Sequence, residues 1–292
     1  MANHERLSQW VLSHAKDLNL QVTKLDWINS YYKAHSDIAV KIEIDAKIYE
    51  GRGSDVDSTV ALMKGVAEAI ERFACQTNNI SSIGVAGHYD LDLAKENALL
   101  EFIERTSIWV HFNNKVGMKP ISAKNIAVVT KDLGMVSLKI HQFQMNTPQG
   151  YFGVFTLTEG FESGFEIGGI MGASVCRSFD EALKKSSIEC LRNVAALSTH
   201  AHGSVSYEQF KKIEKPTSED SQALLFDKSY CKQLLEIQSA DSSEKSLLKS
   251  EIENLIFEEL PYSALVLKDC PLRFVRCLDQ NRSPAPDTEF VG

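Results

Sequence analysis

Two stretches of the chain, VAEAIERFA from Val66 and ALLEFIERTS from Ala98, repeat the pattern E-x-x-E-R: Glu68, Glu71 and Arg72, then Glu101, Glu104 and Arg105. On an α-helix, residues three and four apart share a face, so each set projects as one stripe. Asn97, one turn before Glu101, extends the second stripe. The plain reading is a pair of surface ion pairs, Glu68–Arg72 and Glu101–Arg105, each worth a few tenths of a kcal/mol. The neighbours argue for more. Between Gly65 and Cys75 the other side chains are Val66, Ala67, Ala69, Ile70, Phe73 and Ala74, and a helix apolar nearly all round is a buried one. Buried carboxylates cost several kcal/mol each unless compensated. One arginine per helix offsets one acid and leaves another. A divalent cation shared between the two helices would compensate the remainder. Hard oxygen ligands imply Mg²⁺, which normally also engages substrate phosphates. The arginines would orient the carboxylates and touch phosphate. Neither G-x-x-x-x-G-K-[ST] nor G-x-G-x-x-G is present, which excludes the common nucleotide folds.

The elements that must position these residues are legible as repeated units. Period-two alternation through Val40, Ile42 and Ile44 marks a strand or hairpin that ends at Gly51-Arg52-Gly53. A helix follows from about Ser58 to Cys75. A glycine-containing loop, SSIGVAGHYDLD, leads into a second helix from about Leu93 to Phe112. NIAVVTKDLGMVSLKIHQFQM and GYFGVFTLTEG read as strands. FEIGGIMGASVCRS then leads into a third helix, Phe179 to about Leu197, carrying Glu189, Arg192 and Asn193 at helical spacing. A helix over residues 4–20 and a short strand at Gln21–Leu25 precede all of these. Residues 204–260 are polar and rich in Ser, Lys and Glu, and are expected to form a peripheral, solvated helical segment. Residues 261–292 supply a last strand and a tail. The reading is one α+β domain over residues 1–292, with hairpin-like, mixed or antiparallel sheets and a core at about 45–200 built from strand–loop–helix units.

Composition bounds the function. With 292 residues, 43% hydrophobic and 24% charged, the chain has the make-up of a globular protein and room for a large core. A net charge of −8 argues against non-specific binding to nucleic acid or an acidic membrane. No window approaches the roughly 18 apolar residues of a membrane span, and the N-terminus has no secretory pattern. Six scattered cysteines without a C-x-x-C read as reduced thiols, and a cytoplasmic location is expected. Among the histidines, His88 in the glycine loop caps that loop or sits beside phosphate, and His200 and His202 lack partners at metal-ligand spacing. Cys190 reads as a buried, inert thiol. Trp109 and Phe112 read as core.

The order and spacing of three motifs resemble the YcaO family. They are Gly51-Arg52-Gly53 followed by AEAIER, then GVAGH followed by ENALLEFIER, then GASV followed by FDEALKKSSIECLRN. The match covers about residues 45–200. The resemblance implies an unusual nucleotide-binding fold holding Mg-ATP between the helices, and ATP-dependent activation of a peptide backbone amide. In that chemistry a nucleophile adds to the amide carbonyl, its oxygen is phosphorylated by ATP, and phosphate leaves. Azoline, thioamide or amidine results, according to the nucleophile. Carried residue by residue, Glu68, Glu71, Glu101 and Glu104 would hold Mg²⁺. Arg52, Lys64, Glu68, Arg72, Asn97, Arg105, Glu189 and Arg192 would bind the nucleotide or orient its ligands. No catalytic residue is assigned. The expected partners are a peptide or protein substrate, a leader-binding or other accessory protein, and possibly a second copy of the chain, with no nucleic acid and no membrane.

The chain departs from the family pattern at named positions. Lys64 stands where the first motif has Ser, Arg52 replaces Lys between the glycines, and the tail holds a single P-x-P (Pro284, Pro286) followed by six residues. Two readings stand: an ATP- and Mg²⁺-dependent peptide-modifying enzyme, and a non-catalytic scaffold or regulatory subunit of the same fold.

Overall fold

The computed structural model describes residues 2–25, 35–113, 116–130, 134–162, 165–198, 205–213, 224, 236 and 254–279. The chain divides into two compact units, one of Met1–Phe102 with Leu255–Gln280, the other of Ile103–Asn254 with Asn281–Gly292.

The first unit opens with helix α1 (Ala2–His14) and an antiparallel sheet in the order β1-β2-β3, formed by Gln21–Leu25, Ser36–Ile44 and Lys47–Asp55. Alternation in β2 sends Ile38, Val40, Ile42 and Ile44 inward, each buried, against Val66, Ala69, Ile70 and Phe73 of helix α2 (Ser58–Thr77). Asp57 starts α2 as a side-chain cap: its carboxylate accepts the N–H groups of Thr59 at 2.7 Å and Val60 at 3.3 Å. A second sheet has the order β4-β10-β9, from Val85–His88, Arg273–Asp279 and Leu255–Leu260. One face of it joins the α2 core through Val85, Leu260 and Phe274. Its other face packs Ala86, Val275 and Cys277 against Ala94 and Ala98 of helix α3 (Leu91–Asn113). Asp90 caps α3 by accepting from Asp92 N at 2.9 Å and Leu93 N at 3.1 Å.

The second unit is an antiparallel meander, β5-β6-β7-β8, from Lys119–Thr130, Gly134–Met145, Phe152–Glu162 and Phe165–Cys176. Helix α4 (Phe179–Ser198) lies on it, and polar groups stitch the contact: Gln142 Nε2 donates to Ser187 Oγ at 2.8 Å, and the Thr156 and Ser186 hydroxyls lie 2.9 Å apart. Inside this unit the last turns of α3 set Phe112 edge-on to Phe155, ring centroids 5.7 Å apart. A short helix α5 spans Tyr207–Phe210.

The mixed α+β class with antiparallel sheets matches the sequence expectation, and three strand-to-helix steps recur: β3–α2, β4–α3 and β8–α4. Differences occur where propensity was read without partners. The expected helical character of 204–260 fails at its end, where Leu255–Leu260 form β9, because pairing with β10 overrides the polar composition. The loop around Gly87 contains a strand, β4, which pairs with the same β10. His200, His202, Pro284, Pro286 and most of 214–253 lie outside the described residues.

The glycines of Gly51-Arg52-Gly53 are explained by proximity. A Cβ built on Gly53 would lie 1.9 Å from the Ala61 carbonyl oxygen, and one on Gly51 would lie 2.0 Å from that of Gly65. Gly172 on β8 repeats the device, its Cβ position 2.3 Å from Cys190 N on α4. Main chain, not a ligand, fills these concavities. Gly53→Ala should therefore destabilise the chain by at least ~2 kcal/mol, the cost of forcing a methyl group into packed backbone, read as a lowered midpoint in denaturant unfolding. An unchanged midpoint would contradict this packing.

Candidate functional site

Helix α2 is not apolar all round, as its sequence suggested. Lys64, Arg72 and Gln76 are exposed, while Glu68 and Glu71 are half-buried. The stripe therefore lies along the margin of the core, where a carboxylate meets both main chain and solvent. Each of its two glutamates uses that position in the same way. Glu68 Oε2 accepts the main-chain N–H of Arg52, at 2.7 Å, on β3, an edge strand of its sheet. Glu71 accepts that of Gly87 on β4, also an edge strand. In the second unit Glu189 Oε2 accepts Ala173 N at 3.2 Å on β8, again at an edge. An edge strand leaves such N–H groups unpaired, and a helix carboxylate gives them a charge-assisted acceptor.

The two E-x-x-E-R helices come together in the first unit. Arg72 Nη2 donates to Glu68 Oε1 at 2.8 Å, so the expected i,i+4 pair is formed, with the arginine mostly in solvent. Glu71 is held well above the ordinary glutamate range, first by burial and then by the charges of Glu101 and Glu68; Arg72 and the Gly87 N–H oppose that rise. Glu71 on α2 thus feels the negative charges of Glu68 on its own helix and Glu101 on α3. Among the described residues no group of three or more His, Cys, Asp or Glu side chains is close enough to hold a metal ion as it stands. Both oxygens of Glu68 already have donors, Arg52 N and Arg72 Nη2. The excess negative charge beside Glu71 nevertheless fits a divalent cation, which would relieve it.

The other residues singled out by sequence fall around this trio or away from it. Asn97 is exposed on α3, one turn before Glu101. Glu104 and Arg105 are half-buried further along α3, Arg105 Nε 3.8 Å from Glu104 Oε1. Lys64 turns away from Glu68: its ammonium bonds Asp55 Oδ2 at 2.6 Å and Ser54 O at 3.3 Å. The Arg52 guanidinium is bound to Asp37 through Nε at 3.0 Å and Nη2 at 2.5 Å. Glu189 and Arg192 are half-buried on α4, within the second unit. His88 Nδ1 accepts Asp90 N at 2.9 Å, which is the loop-capping role. The Cys190 thiol donates to Ile170 O at 3.3 Å, and burial pushes its pKa to about 12, consistent with an inert thiol.

Three residues escaped the sequence reading. Cys75, one turn beyond Glu71 on α2, feels Glu71, Glu101 and Arg276, and burial pushes its pKa to about 12. Arg276 on β10 brings a further cation, and its Nε is shielded from solvent without a hydrogen-bond partner. The signal was an arginine in the position of alternation that Phe274 uses to enter the α2 core. Asp37, fully buried, holds Arg52, and only the three-dimensional register places it there.

No family model matches the chain, and no curated protein matches it. Among solved structures it is similar to YcaO from Methanopyrus kandleri bound with AMPPCP and Mg²⁺: TM-score 0.58 and 12% identity, covering 94% of this chain and 89% of that one. The fold is that of YcaO. A heterocyclase in complex with substrate and cofactor is also similar, at TM-score 0.55 and 8% identity, covering 93% of this chain. The chain spans about half (51%) of that heterocyclase. Among the described residues no helix is long and apolar enough to cross a membrane.

The YcaO fold here carries a pH signature. Between the ordinary glutamate value of 4.5 and Glu71's raised value, the folded chain holds a proton that the unfolded chain has released. Stability of the metal-free protein should therefore fall as pH rises through that window. Glu71→Gln should flatten the fall, measured by thermal unfolding across pH in the presence of a chelator. A wild-type profile already flat there would contradict the crowding of Glu71.

Proposed function

We propose that this chain binds Mg-ATP at the meeting of α2 and α3 and uses it to activate a peptide backbone amide by O-phosphorylation. The carrying observation is the crowded trio Glu68, Glu71 and Glu101, within a fold whose M. kandleri example holds AMPPCP and Mg²⁺. Glu68, Glu71 and Glu101 would hold Mg²⁺. When bound, the metal supplies charge neutralisation for a phosphoryl group in transfer. Arg72 keeps Glu68 oriented and offers its guanidinium to phosphate oxygens. Asn97, exposed on the same stripe, offers an amide to the same oxygens. The substrate is a ribosomally made peptide, met alone or with a leader-binding partner, and the amide oxygen leaves as phosphate after the nucleophile has added.

A second reading has its own support. Three motif glutamates serve as acceptors for edge-strand N–H groups, and Lys64 is engaged with Asp55. Such a chain acts as a scaffold of the YcaO fold that binds ATP or nothing.

ATP should raise the thermal midpoint of the wild-type chain only when Mg²⁺ is present, and Glu101→Gln should remove that rise. Equal nucleotide affinity in the wild type and in both Glu101→Gln and Glu71→Gln would sink the site assignment. Phosphate release that depends on added peptide separates enzyme from scaffold.

A further inference from the structure

The Arg52 side chain and main chain face two different acids. Its guanidinium binds Asp37 Oδ2 through Nε at 3.0 Å and Nη2 at 2.5 Å, while Ser54 Oγ donates to Asp37 Oδ1 at 2.6 Å. Asp37 is fully buried, and Arg52 has 18% of its side chain exposed. Its main-chain N–H donates to Glu68 Oε2 at 2.7 Å, and Arg72 completes the run on Glu68 Oε1 at 2.8 Å. Ser54, Asp37, Arg52, Glu68 and Arg72 thus form one continuous chain of hydrogen bonds. The glycines on either side of Arg52 let β3 lie against α2 closely enough for that N–H to reach the helix carboxylate.

We propose that Asp37 and Arg52 are positioning residues: Asp37 clamps the Arg52 side chain so that the Arg52 N–H holds Glu68 in its place in the acidic trio. Arg52 contributes a main-chain donor, and its guanidinium is an internal anchor, not a phosphate contact. The buried carboxylate takes several donors at once, which makes it a rigid fixed point. Groups that hold a metal-ligating carboxylate in orientation commonly alter metal affinity about 10–100-fold when removed. The consequence for Mg²⁺ rests on the Mg-ATP reading above; the clamp itself does not.

Two measurements on the full chain separate the clamp from that reading. The first is amide hydrogen exchange at Arg52. Asp37→Asn should speed it at least about tenfold while the amides of Val40 and Ile42 keep their protection, a local effect that general loosening would not give. Unchanged exchange at Arg52, or equal acceleration throughout β2, overturns the clamp. If Asp37→Asn does not fold, Ser54→Ala removes one donor from Asp37 and should produce a smaller acceleration confined to Arg52; none there also overturns it. The second is ATP affinity with and without Mg²⁺. Asp37→Asn and Arg52→Lys should each weaken Mg²⁺-dependent binding about 10–100-fold, with the double variant no worse than the poorer single one. An equal loss for Arg52→Lys without Mg²⁺ would make Arg52 a direct phosphate contact and overturn the anchor role. A wild-type chain that binds no Mg-ATP would end the Mg-ATP reading, while the exchange result still decides the clamp.

Discussion

Main chain touches main chain where β3 crosses α2, with no room for a methyl group at Gly51 or Gly53. Much else in the first unit follows from that closeness. It brings the free edge of β3 within reach of the Glu68 carboxylate, gives the Arg52 N–H an acceptor, and fixes the rotation of α2 about its axis. With that rotation fixed, Glu71 must meet β4 at Gly87, and Cys75 must lie beside Arg276. Gly172 against α4 repeats the arrangement in the second unit, with Glu189 as the helix acid.

The electrostatics of the acids explain how one residue pattern serves structure and site together. A glutamate that accepts a single edge N–H is stabilised as an anion. Burial, and then the charges of Glu101 and Glu68, reverse that balance at Glu71, whose pKa is raised. Arg72, mostly in solvent, offsets only part of the repulsion. Glu71, beside Glu68 and Glu101, is thereby favoured in its protonated form. The raised Glu71, in a fold seen elsewhere with AMPPCP and Mg²⁺, gives the Mg-ATP proposal a physical observation of this chain's own.

Elements with strong periodicity were legible in the sequence. The alternation of β2, the stripe of α2 and the helices α2, α3 and α4 emerged with boundaries off by only a few residues, because each signal is local. The pairing of Glu68 with Arg72 was legible for the same reason. What the sequence concealed depends on register between distant segments. Leu255–Leu260 looks solvated until Arg273–Asp279 pairs with it, and Asp37 looks like an ordinary strand acid until Arg52 and Ser54 arrive on the neighbouring strand. The glycines of Gly51-Arg52-Gly53 likewise hid their partner: they lie against the main chain of α2, which spacing alone does not show. Apolar neighbours around the E-x-x-E-R stripe were read as complete burial, whereas the stripe lies at the core's margin.

On the Mg-ATP proposal, Glu71 surrenders its proton to make room for a cation shared with Glu68 and Glu101. Calorimetric titration of Mg²⁺ with ATP into the chain, repeated in mildly acidic buffers of different ionisation enthalpy, reads that proton directly. Binding should release about one proton, and Glu71→Gln should lose that release. Binding without proton release in the wild type, or no Mg²⁺-dependent binding at all, would contradict it.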